Sequence, residues 1–418
     1  MNSHPASLGP ASLGTAVNPT ADGSTTTRRI FWARGLRDFG DGNVAVLLPV
    51  YLTALGFGAA EIGAVATLAL FGSALMTLGI GMAGARFDPR LLLLVATALM
   101  VASGLGFVLA SGFIAIALVA FLGTINPSAG SVSIFAPVEQ ALISQATPAA
   151  RRTQVFARYS LVGAFAAAAG ALFAAVVDFF VGFGLSLLVA LQSMFFLYAV
   201  LGVAVALAYR AIPAQPASAE EPRHAPLGPS RRIVTRLAAL FCIDSFAGGF
   251  AVQALLTLWL FERFDLSLAQ AGLFFFWSGV LSAFSFPVAA WLSRHVGLVN
   301  TMVFTHIPSS LCLIAATVAP SLEVVLGLLL LRAALSQMDV PTRTSYVMAV
   351  VTPAERTAAA SFTAVPRSLA AAASPVLAGA MYAAGFRALP FILCGVLKII
   401  YDLLLLWAFR HLRPPEER

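Results

Sequence analysis

Charge is scarce in this chain. Only 10% of its 418 residues are Asp, Glu, Lys or Arg, against roughly a quarter in a soluble domain. Lysine is almost absent, with Lys398 the sole example. The arginines sit singly or in pairs between long apolar runs, so they build no basic face for a nucleic-acid backbone. Cysteine is equally sparse. Cys242, Cys312 and Cys394 lie far apart, each inside an apolar run and without a CxxC pair, which argues against disulfides and metal ligation. The catalytic patterns HExxH, GxxxxGK[ST] and GxSxG are missing. Gly40-Asp41-Gly42 lies within an apolar run rather than after a strand, so it is no nucleotide loop. These absences leave no soluble-enzyme chemistry and no cofactor, and they make a gradient, not ATP, the energy source.

What is abundant is apolar sequence, 60% of the chain. A helix crossing the hydrocarbon core uses about 20 mostly apolar residues, so the material suffices for about twelve spans. The runs predict an all-α integral membrane fold with spans at 36–56, 60–83, 91–110, 113–144, 154–178 and 183–209, then 236–261, 269–293, 299–319, 322–350, 358–384 and 388–409. Residues 1–30 read as a disordered cytoplasmic tail without a cleavable signal, 31–209 as one six-helix bundle, 210–235 as a cytoplasmic linker, 236–410 as a second bundle and 411–418 as a short tail. Most basic residues, among them Arg28, Arg29, Arg34, Arg37, Arg86, Arg90, Arg151 and Arg152, fall on one side of this plan, and the opposite loops hold only Arg263 and Arg387. The positive-inside rule then puts both termini in the cytoplasm, with the protein multi-pass in the cell (inner) membrane.

The halves echo each other. Asp38-Phe-Gly-Asp-Gly42 aligns with Asp244-Ser-Phe-Ala-Gly248, and Thr147-Pro-Ala-Ala-Arg151 with Thr352-Pro-Ala-Glu-Arg356, at nearly one offset. Parallel repeats about an axis along the membrane normal are a known transporter plan.

The loop between spans 2 and 3 reads Gly81-Met-Ala-Gly-Ala-Arg-Phe-Asp-Pro-Arg90, and spans 8 and 9 carry a fainter copy, Ala290-Trp-Leu-Ser-Arg-His-Val-Gly297. With Gly81, Arg86 and Arg90 matching the pattern G-x-L-A-D-R-x-G-R-R, the chain resembles the major facilitator superfamily. Gly84 is a small residue in that pattern, the usual acid is Ala85, and Asp88 stands where a glycine is usual. The resemblance implies twelve helices in two pseudo-symmetric bundles and a cytoplasmic gate latched by Gly81, Gly84, Arg86, Asp88 and Arg90. It also implies a central cavity lined by spans 1, 4, 7 and 10. The antiporter motif of span 5 is absent, since Gly163–Gly170 holds no proline.

A charge in the bilayer centre costs about 2.5–3.5 kcal/mol on insertion scales, so charges on the four lining spans are the candidate functional groups. Arg332, Ser336, Asp339 and Arg343 share one face of span 10, with Asp339 and Arg343 in i,i+4 register and Pro341 between them. This stripe reads as a substrate and proton site, or as a self-neutralised packing pair. Asn126 kinks span 4 with Pro127. Glu139 is a proton carrier or the partner of Arg86 or Arg90. Asp41 lies inside span 1, Asp38 pairs with Arg34 or joins the repeat-related Asp244 in a gate, and Gln253 and Arg367 offer polar contacts. Lys398 and Asp402, in i,i+4 register on span 12, and His306 on span 9 read as structural.

The expected function is alternating-access transport of a small solute, coupled to protons through Asp41, Glu139 or Asp339, with efflux of an amphipathic or toxic compound slightly favoured. The alternatives are transport of an organic anion through Arg332, Arg343 and Arg367, and a non-transporting scaffold or sensor. The expected partners are the solute, protons and lipid, around a monomer.

Overall fold

The computed structural model describes residues 19–83, 87–127, 133–214, 228–352 and 355–409. Its described residues form sixteen helical segments and no strand. They assemble into twelve rods in two bundles. The first bundle holds α1 (Pro19–Ala54), α2 (Ala59–Ala83), α3 (Pro89–Leu109), a rod of α4 (Phe113–Leu122) and α5 (Phe135–Ala146), a rod of α6 (Ala149–Phe173) and α7 (Val176–Gly182), and α8 (Leu187–Arg210). The second holds a rod of α9 (Arg231–Gly249) and α10 (Gln253–Phe264), then α11 (Leu268–Val296) and α12 (Leu298–Val318). It is completed by a rod of α13 (Leu322–Ser336) and α14 (Asp339–Val350), α15 (Arg356–Ala383) and α16 (Leu389–Phe409). Nine of the helical stretches are long and apolar enough to cross a membrane.

The first rod differs from its expected bounds. Helix α1 starts at Pro19, inside the stretch read as a tail. Its extra turns bury Ile30, Ala33 and Arg37 on one face, with Phe31 against Tyr159. Helical periodicity carries Arg34 and Arg37 inward with them, so Arg37 is no surface anchor.

Three of the rods expected to line a cavity are broken. In the fourth, Gly123 abuts Ser103, whose hydroxyl accepts from the Thr124 N–H at 3.1 Å, and Pro127 disfavours helix at Asn126. The expected continuous helix over 113–144 is therefore two pieces. In the seventh, Gly249 lies so close to α15 that a Cβ would stand 2.4 Å from the Ala371 carbonyl. In the tenth, the break falls at Gln337 and Met338. Gln337 is the residue whose carbonyl the Pro341 ring would strike in a continuous helix.

The bundles meet along α2 with α15, α6 with α11, and α1 with α10. The closest crossing is Gly63 on Gly379, where a Cβ on Gly63 would lie 2.9 Å from the Gly379 Cα. The Thr67 hydroxyl accepts from the Val376 N–H at 2.9 Å nearby. A second close approach sets Gly272 on the Ala171 carbonyl. These contacts cluster toward the end of the molecule that holds the α1–α2 turn.

Candidate functional site

Each bundle carries a buried charge cluster. In the first, Arg34 Nε lies 2.6 Å from Asp38 Oδ2, and Arg37 lies 3.3 Å from Asp38 Oδ1 and 3.2 Å from Glu139 Oε1. The Tyr209 hydroxyl donates to Glu139 at 2.5 Å, and the Tyr159 hydroxyl donates to its other oxygen. Glu139 is wholly buried. Three donors satisfy it, and Arg90 is not among its described partners. Asp41 accepts from the Tyr198 hydroxyl at 3.0 Å.

The second cluster is larger. Asp244, repeat-related to Asp38, takes Arg343 at 3.0 Å through Oδ2 and Lys398 at 2.5 Å through Oδ1. Arg343 also holds Asp339 at 3.1 Å, so the i,i+4 pair expected on span 10 is present. His306 Nδ1 lies 3.1 Å from both oxygens of Asp402, and its Nε2 lies 3.3 Å from Lys398 Nζ. The expected Lys398–Asp402 neighbours thus face different partners. Span 12 turns both into the cluster, because their common face packs on α12 and α9.

Two cavities adjoin these clusters. One, of about 520 Å³, is lined by Asp244, His306, Arg332, Ser336, Asp339, Arg343, Arg367 and Lys398, among others. The other, of about 390 Å³, lies between the bundles, with Arg34 and Asp38 on one wall and Arg332 and Ser336 on the other. Gln253, Phe275 and Ser278 line both. Spaces of this size suit a small molecule. Among the described residues, Arg332 and Arg367 form no ion pair, although both border the larger cavity.

The structure therefore gathers Asp244, Gln253, Arg332, Ser336, Asp339, Arg343 and Arg367 at one place. It sets Asp41 and Glu139 in the first bundle and leaves Asn126 buried in the α4–α5 break, and none of the three lines either cavity. Gly81 falls in α2, while Gly84 and Arg86 lie outside the described residues. Asp88 caps α3, accepting from the Arg90 N–H at 2.9 Å. The sequence reading gave no cluster role to Arg37, Tyr159, Tyr198, Tyr209, His306 or Lys398. For Arg37, His306 and Lys398 the one signal was the cost of charge in an apolar run, and the tyrosines gave none.

The Major Facilitator Superfamily profile matches residues 30–332 and 243–418. An uncharacterised membrane protein of Saccharomyces cerevisiae, YJR124C, is 25% identical over 419 aligned residues, covering 91% of this chain and 93% of that protein. A bacterial homologue of the human lysosomal transporter Spinster, solved inward-facing and unoccupied, superposes with a TM-score of 0.70 at 14% identity, covering 95% of this chain and 98% of its own. The nucleoside transporter NupG superposes with a TM-score of 0.71 at 13% identity, covering 92% and 99%. At these identities the solved structures speak to the fold.

Proposed function

Because the chain belongs to the major facilitator superfamily, whose fold is that of membrane transporters, we propose that it carries a small organic anion by alternating access, with protons as the coupling ion. The observation that carries this reading is the pair Arg332 and Arg367, cations on the wall of the larger cavity with no carboxylate partner among the described residues. Asp244 and Asp339, the carboxylates on the same wall, are already matched to Arg343 and Lys398. Desolvated cations without counter-ions are costly, and a carboxylate or phosphate on the solute offsets that cost. Phe275, on the wall of both cavities, adds an apolar surface for a carbon skeleton, so an amphipathic anion suits the site better than a cation.

The Arg-rich end is the cytoplasmic one in this reading, with both termini inside, the cell membrane as the location and the monomer as the working unit. The bundles then pack at the outer end and the cavity opens inward. Asp38 and Asp244 act in the gate with the loop of Gly81, Gly84, Arg86, Asp88 and Arg90. Of the three acids expected to take part in proton coupling, Asp339 alone borders either of the two cavities.

Proteoliposome uptake of a labelled panel tests this: mono- and dicarboxylates, phosphate monoesters and a cationic dye. Saturable uptake of an anion supports the reading. Uptake of the dye alone favours cation efflux, and no uptake of any solute favours a scaffold or sensor.

A further inference from the structure

Lys398 and Asp402 face the two ring nitrogens of His306. The Lys398 ammonium has only donors, so the Nε2 it approaches at 3.3 Å accepts. The ring proton then sits on Nδ1, donated to Asp402 at 3.1 Å. With His306 neutral, the bonded array holds three carboxylates, Asp402, Asp244 and Asp339, against two cations, Lys398 and Arg343. One more proton balances these bonded groups, while Arg332 and Arg367 stand on the cavity wall outside them.

We propose that His306 is the binding site of the coupling proton, and that protonation of its Nε2 releases Lys398 from the array into the cavity as a third cation for the solute. This rests on the transporter reading above. The arriving proton forms an N–H bond at Nε2 and breaks no covalent bond. It ends the hydrogen bond from Lys398 and sets two cations in contact. The new N–H faces Asp244 Oδ1, 3.8 Å away, which is the oxygen Lys398 holds. His306 takes over as partner of Asp244, and Lys398, already on the cavity wall with Arg332 and Arg367, turns to the solute.

The surroundings of His306 agree. Helix α16 presents Lys398, Asp402 and the Tyr401 ring, whose centroid is 6.1 Å away. Helix α9 presents Asp244. Helix α14 holds Asp339 and Arg343 one step further along the array. From α13, Arg332 gives its carbonyl to Ser309 on α12 and its side chain to the cavity wall, and Arg367 of α15 borders the same wall. The charged residues of α11, Arg294 and His295, lie in its last turn, outside the array. Proton and anion therefore favour each other, each by the same factor, and the two move together.

Two measurements on the full chain decide the proposal. The first needs no solute: NMR of ¹⁵N-histidine-labelled protein in micelles, with the His306 signal identified by its loss in H306Q or, if that variant does not fold, by its displacement in D402N. The expected signal is the neutral Nδ1–H tautomer at alkaline pH, with an imidazolium signal appearing when the sample is acidified. In K398M the Nε2 resonance shifts, because the ammonium that donates to it is gone. An Nε2–H tautomer, no imidazolium signal on acidification, or an Nε2 resonance unmoved in K398M overturns the proposal. The second measurement follows labelled succinate and internal pyranine in proteoliposomes. H306Q is expected to lose pH-driven accumulation about tenfold more than it loses succinate exchange, and equal losses overturn the proposal. If the wild-type protein moves no anion at all, the transporter reading fails, and the NMR result still decides His306.

Discussion

Lys398 Nζ and Asp244 Oδ1 meet at 2.5 Å, though 154 residues separate them. The contact joins the last span to the first span of the same bundle. Breaking a buried pair from one side leaves an uncompensated charge, which costs about 3–5 kcal/mol. Arg343 still faces Asp244 at 3.0 Å, so K398M is expected to destabilise the protein by about 3 kcal/mol, the low end of that range. The double variant D244N/K398M recovers part of it. Thermal melting in detergent reads both, and a double variant no more stable than the sum of the singles contradicts the pairing.

At the crossing of α2 and α15, a Cβ on Gly63 would stand 2.5 Å from the Pro375 carbonyl. Backbone cannot yield as a side-chain tip does, so G63V is expected to cost about 1–3 kcal/mol and to wedge the bundles apart. Spin labels on the α1–α2 and α15–α16 turns should report a longer distance. An unchanged distance would show that the crossing tolerates a side chain.

Asp339 borders the cavity and pairs with Arg343 at 3.1 Å. D339N removes one of three carboxylates from the array, so the charges balance without an added proton. Coupled flux is expected to vanish while expression persists, as read by pyranine in proteoliposomes. Unchanged coupling in D339N removes Asp339 from the mechanism.

Glu355 accepts from the Gly228 N–H and, at 2.7 Å, from the Thr352 hydroxyl, tying the start of α9 to that of α15. Hydrogen bonds from Ser230 and Thr352 hold its carboxyl below the ordinary range. A lowered value means the tie is fully present above the ordinary glutamate pKa of about 4.3 and is lost as pH falls through the lowered one. E355Q at neutral pH should mimic that loss and lower the melting temperature in detergent. Equal melting of both proteins at neutral pH would show that the tie contributes nothing to stability.

How much of this was legible in the sequence follows from what is local. Twelve spans are written in apolar runs, and the Asp339–Arg343 pair is written in four-residue spacing. The breaks were partly legible: Pro127 and Pro341 sit at two of them, but the break at Gly249 depends on how closely α15 approaches. The partners of Asp244 were not legible. His306 and Lys398 come from spans 9 and 12, and no spacing along the chain records which faces of distant helices meet. Arg37 looked like a membrane-edge anchor because the run of strongly apolar residues starts after it, yet Ile30 and Ala33 carry its face of α1 into the core.

The most direct test of the central claim is uptake of the best anion from the panel by wild-type protein and by R332Q/R367Q, side by side in proteoliposomes. Neither arginine holds an ion pair among the described residues, so the variant is expected to fold with a melting temperature near that of the wild type. The account predicts saturable, pH-driven accumulation by the wild-type protein and a loss of about tenfold or more in the variant, since a charge-assisted contact contributes about 1.5–3 kcal/mol. Equal accumulation by a folded variant would contradict it.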